Sequence, residues 1–166
     1  MILRYLIILL ILLPIKVFAV IEVDITRGNL NPLPIAVSPL SIDEKSKIVF
    51  KKILKKDNIG AEISTIVENN LRQSGLFNPL NKDAFLQKPD IANLKPRFED
   101  WNLIKAQVLI TGKVTSVDEN LRVEFRLWDV LSGKEMKALA FTTVPSNWRR
   151  VGHIITDKVY ETLTGE

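Results

Sequence analysis

Gln107-Val-Leu-Ile-Thr-Gly-Lys-Val-Thr-Ser-Val117 and Leu121-Arg-Val-Glu-Phe-Arg-Leu-Trp-Asp-Val130, joined by Asp118-Glu-Asn120, decide the fold. In the second stretch Leu121, Val123, Phe125 and Leu127 alternate with Arg122, Glu124, Arg126 and Trp128, the period-2 signature of a strand with one face buried. In the first, Val108, Ile110 and Gly112 fall on one face, and Leu109, Thr111 and Lys113 on the other. A looser strand follows over Glu135–Val144. The connections, Asp118–Asn120 and Leu131-Ser-Gly-Lys134, are of hairpin length, so the three strands pair as an antiparallel meander.

Outward from this meander, helices alternate with shorter strands. Downstream, Val151, Ile154, Ile155, Val159 and Leu163 form a helical stripe that Ser146 can cap and Gly165 stops. Upstream, Pro96 opens a short helix over Arg97–Lys105 with Trp101 and Ile104 facing inward, and residues 81–97 read as loop. A longer helix covers Ile59–Ser74. Asp57 or Asn58 caps it, Gly75 stops it, and Ile59, Ile63, Ile66, Val67 and Leu71 are its buried side. Leu76–Leu80 is a short extended piece. Leu33-Pro-Ile-Ala-Val-Ser-Pro-Leu40, fenced by Pro34 and Pro39, reads as a buried strand centred on Ile35-Ala-Val37. Six lysines between Lys45 and Lys56 surround Ile48, Val49, Phe50, Ile53 and Leu54, a pattern that fits either a helix or a mobile arm. The expected fold is α/β (α+β): a two-layer sandwich with a mixed sheet of about five strands and two main helices on one face.

The first nineteen residues stand apart. Arg4 precedes the apolar run Tyr5–Ile15, which is short of the roughly 20 residues that cross a bilayer. Lys16-Val-Phe-Ala19 then places small residues where signal peptidase cuts, so residues 1–19 read as a secretory signal peptide removed after Ala19. Arg4 and Lys16 are its only charges, so the exported chain keeps 21 of the 23 basic residues against 19 acids and is nearly neutral. Residues 20–32 follow as a strand and linker, and 33–166 as the α/β domain. In Val20-Ile-Glu-Val-Asp-Ile-Thr26, Ile21, Val23 and Ile25 face one way while Glu22, Asp24 and Thr26 face the other. Arg27, Gly28 and Pro32 then separate the segment from the domain. Such a strand either lies against its own domain or adds to the sheet edge of a partner.

Composition excludes much chemistry. With 46% hydrophobic and 25% charged residues in 166, the chain is globular and not a disordered polar tail. It has no cysteine and one histidine, which removes disulfides, thiolate catalysis and sites built on several cysteines or histidines. No Gly-rich phosphate loop exists, and the adjacent acids Asp43-Glu44 and Glu99-Asp100 read as first-turn or surface residues. His153, with Arg149, Arg150 and Asp157 at neighbouring helical positions, is the one imidazole a small exported enzyme or ligand-binding module could use. Its other reading is an ordinary surface histidine. No cofactor or metal is called for. The lysine stretch suits anionic lipid, cell-wall polymer or nucleic acid, or a solvated face, with nucleic acid the least suited to an exported protein. Trp101, Trp128 and Trp148 lack basic interleaving and read as packing.

Taken in order, the signatures resemble a known family. Glu22-Val-Asp-Ile-Thr-Arg-Gly28 leading to Pro34–Pro39, then Ile66–Pro79, Trp101 with Val108–Val114, Val123–Asp129 and Trp148–Gly165 are similar to the amino-terminal domain of the TolB family of the Tol–Pal envelope system. The resemblance implies a non-enzymatic periplasmic adaptor serving outer-membrane invagination in cell division and envelope integrity. By position, the family's TolA-binding segment corresponds to Val20, Ile21, Glu22, Val23, Asp24, Ile25, Thr26 and Arg27. The family's β-propeller, its docking surface for the lipoprotein Pal, has no counterpart before Glu166. The expectation is therefore a fragment or a gene that lost its second half, and Pal binding is not carried over.

Overall fold

The computed structural model describes residues 31–165. The predicted signal peptide and the segment Val20–Arg27 lie outside the described residues. The elements run β1 (Leu33–Val37), β2 (Ser41–Ile42), α1 (Glu44–Leu54), α2 (Ile59–Gln73), β3 (Phe77–Pro79), α3 (Pro89–Leu94), α4 (Phe98–Leu103), β4 (Val108–Val117), β5 (Asn120–Asp129), β6 (Lys134–Thr143) and α5 (Trp148–Thr164). Single 3-10 turns at Lys82–Ala84 and Pro145–Asn147 complete the path.

The sheet is mixed, in the order β3-β1-β4-β5-β6, with β2 pairing the far end of β4. β1 is parallel to β3 and β4, and β4, β5 and β6 form the expected antiparallel meander. Leu121, Val123, Phe125 and Leu127 all point into the larger core, as their alternation predicts. There they meet Ile63, Val67 and Leu71 of α2 and Val151, Ile155 and Val159 of α5. Gly152 lets the two helices close: a Cβ there would sit 2.8 Å from Ile66 Cγ2, tighter than carbon atoms pack.

Two segments resolve differently from a plain two-layer reading. The lysine-rich stretch is helical, and α1 joins α2 and α5 on the same face of the sheet through Phe50, which is 1% exposed. On the opposite face, α3 and α4 cover β1 and β4 with a second, smaller core of Ala36, Ala92, Trp101, Ala106, Leu109 and Val130. Residues 81–97, read as loop, thus contain α3 and a 3-10 turn. The start of α5 is also corrected. Ser146 lies within the Pro145–Asn147 turn, whose own backbone leads into the helix, and Asn147 stands at the cap position without a side-chain cap. Gly165 ends the helix in the left-handed conformation at φ 78°, as expected.

Candidate functional site

The segment expected to bind a partner enters the domain at its most constrained strand. Leu33 N–H donates to Leu76 O at 2.8 Å, and Gln107 N–H donates to Pro34 O at 3.0 Å. Leu33 and Ile35 are in parallel register with Phe77 and Pro79, and Ile35 with Val108. The chain leaving Asn31 is therefore seized at once between two strands, and Ile35 and Ala36 are fully buried. The described chain thus passes from the exposed Asn31 and Pro32 directly into an interior strand of the sheet.

His153 sits in a seam between helices. Its Nδ1 lies 2.9 Å from Asn70 Nδ2, which also donates to Thr156 Oγ1 at 3.2 Å; Thr156 Oγ1 in turn donates to Gly152 O. With Asn70 donating, Nδ1 is the acceptor and the ring proton sits on Nε2. The neighbour Arg149 is drawn away to stack on Trp148, its Cζ 4.3 Å from the ring centroid. A cleft of about 510 Å³ opens beside Asn58 at the start of α2, and another of about 540 Å³ lies between β2, β4 and α3; His153 lines neither. The arrangement locks α2 to α5 and supplies neither a nucleophile nor a second base.

The remaining candidates are structural. Asp43 is the N-cap of α1: its carboxylate accepts from Ser46 N–H at 2.9 Å and from Ser46 Oγ at 2.7 Å. Those bonds, the backbone one foremost, hold its carboxyl below the ordinary value. Ser46 Oγ also accepts from Ser116 N–H at 2.7 Å, so one buried hydroxyl fixes both the helix start and the end of β4. Asp100 pairs with Arg97, and Glu44 with Lys47. Trp101 Nε1 donates to Gln87 Oε1 at 2.8 Å, and Trp128 Nε1 to Thr111 Oγ1 at 2.9 Å, so both tryptophans are packing residues with satisfied polar ends. Among the described residues no group of three or more His, Asp or Glu side chains could hold a metal ion, and no helix is long and apolar enough to cross a membrane.

Comparison with known proteins places the chain. The family model for the TolB amino-terminal domain matches residues 21–136. The chain belongs to the TolB family. A TolB, the Tol-Pal system protein of Pelagibacter ubique (strain HTCC1062), is 82% identical over all 166 residues, and this chain spans 37% of that relative's length. The crystal structure of TolB from Acinetobacter baumannii superposes with a TM-score of 0.64 at 20% identity, over 88% of this chain and 32% of that one. The match to the family model begins at Ile21, inside the alternating segment read as the partner-binding strand.

Proposed function

We propose that this chain is the amino-terminal unit of a periplasmic Tol–Pal adaptor that recognises TolA through Val20–Arg27. The observation that carries the reading is a family match starting at residue 21, twelve residues before an interior strand paired on both sides. A short alternating segment that precedes an interior strand suits strand addition. Its backbone supplies hydrogen bonds, Ile21, Val23 and Ile25 fill pockets on one side of the pleat, and Glu22 and Asp24 face a basic partner surface. No bond is made or broken, and no cofactor is required. Export by residues 1–19 and cleavage after Ala19 would leave this segment at the mature terminus. The role it serves is envelope integrity and outer-membrane invagination during division. Pal binding is not assigned to this part of the family's length.

A pull-down on the periplasmic carboxy-terminal domain of TolA tests this. Residues 20–166 should be retained and residues 33–166 should not. Glu22→Lys/Asp24→Lys should slow association and flatten its dependence on salt, because steering by exposed charges is screened within about 10 Å at 0.1 M ionic strength. Equal retention of the two chains removes the segment from the mechanism.

A further inference from the structure

The lysine-rich helix α1 is not explained by the proposed role of residues 20–27. Its inward side is narrow, since only Ser46 and Phe50 are buried. At 100° per residue, the direction opposite them is occupied by Ile48, which is 68% exposed. Lys45 and Lys52 lie on one flank of Ile48 and Lys51 and Lys55 on the other, while the half-exposed Ile53 sits nearer the body. The acids of this surface are already engaged: Glu44 with Lys47, and Asp57 with Lys51 at 2.7 Å. The side chains of Lys45, Lys52 and Lys55 make no ion pair or hydrogen bond among the described residues.

Two of these lysines stand where helix stability alone disfavours them. Lys45 is in the first turn, where the helix dipole repels a cation. Lys55 closes the helix in the left-handed conformation at φ 56°, a position that glycine fills with less strain. Neither placement helps the helix, yet both add charge around the same isoleucine. A hydrated polyanion would gain nothing from an exposed isoleucine at the centre of the ring. A lipid interface uses both parts, cations at the headgroups and an aliphatic side chain below them.

We propose that the outward face of α1 is a docking surface for an anionic lipid bilayer, with Lys45, Lys52 and Lys55 on the headgroup phosphates and Ile48 entering the interface. Its test contains no TolA, so either reading can fail without the other. Co-sedimentation of residues 20–166, which include every described element, is measured with phosphatidylcholine vesicles with and without phosphatidylglycerol. Binding should require phosphatidylglycerol and weaken with salt. Lys45→Gln/Lys52→Gln/Lys55→Gln should lower the partition coefficient about 100-fold, at about 1 kcal/mol per lysine near an anionic surface. Ile48→Ser should lower it roughly tenfold, the scale of one partly buried aliphatic side chain. All four positions are exposed, so the unfolding midpoint should hold. Equal sedimentation with both vesicle types overturns the proposal. So does an Ile48→Ser protein that binds as the parent does while soluble polyphosphate displaces it completely, which would make the face a polyanion site.

Discussion

The two faces of the sheet are built on different terms. The face under α1, α2 and α5 is a continuous apolar core of aliphatic and aromatic side chains. The face under α3 and α4 is small and centres on Trp101, which is held by one hydrogen bond to Gln87. Gln87 Oε1 accepts twice, from Trp101 Nε1 and from Arg97 N–H at 2.9 Å, while its Nε2 and the Oδ1 of Asn93 are buried without partners. Leu86, Ile91 and Leu94 stand exposed around it. The first face draws stability from area removed from water. The second draws its order from a few directional bonds, and it tolerates unpaired polar atoms that the first does not contain.

Substitutions should separate the two. Ile155→Ala in the large core should cost about 2–5 kcal/mol in urea unfolding, because the cavity is lined by two helices and a sheet that cannot collapse into it. Trp101→Phe keeps most of the apolar volume of the small core but deletes a donor to Gln87. It should cost about 1–3 kcal/mol, and Gln87→Leu in the same background should add a further loss, because Arg97 N–H then loses its acceptor as well. If Trp101→Phe proved harmless while Trp101→Leu was severe, the small core would be an area-driven core after all, and the contrast between the faces would dissolve.

A smaller effect belongs to the join between α1 and the sheet. Asp43→Ala removes the cap and loosens Ser46, and should cost about 0.5–2 kcal/mol at neutral pH. The bonds from Ser46 lower the folded carboxyl pKa below its ordinary 3.8, so the contribution is fully present above the unfolded value and is lost as pH falls through the folded one. The stability gap between parent and Asp43→Ala should therefore close on acidification below about pH 4 and stay constant above about pH 6. A gap that widened toward low pH would give Asp43 a different role.

The same contrast explains what could be read from the residues alone. Strand β5 and helices α2 and α5 announce themselves because each buries one side only, so apolar residues recur at the period of the element: Val123, Phe125 and Leu127 every second residue, Ile63, Val67 and Leu71 every fourth; β4, buried on both faces from Val108 to Gly112, is placed by its hairpin-length turn into β5. Helix α1 left a choice open because just two of its residues, Ser46 and Phe50, are buried, too few to set a period. Helix α3 was hidden for another reason. Six residues after a proline carry no measurable periodicity, and its inward residues are Ala92 and Asn93, which give no hydrophobic signal. The Asn70–His153–Thr156 seam joins residues more than eighty positions apart, and no local pattern reports such a pairing. Residues 20–27 alternate in sequence but lie outside the described residues, and their expected role comes from resemblance to the TolB family.

Amide hydrogen exchange over Val20–Arg27, followed with and without the periplasmic domain of TolA, tests the central claim most directly. The account predicts amides that exchange freely in the isolated protein and become protected when TolA is added, while those of β4 and β5 stay unchanged. Protection over the same residues that is already complete in the isolated protein and indifferent to excess TolA would contradict it.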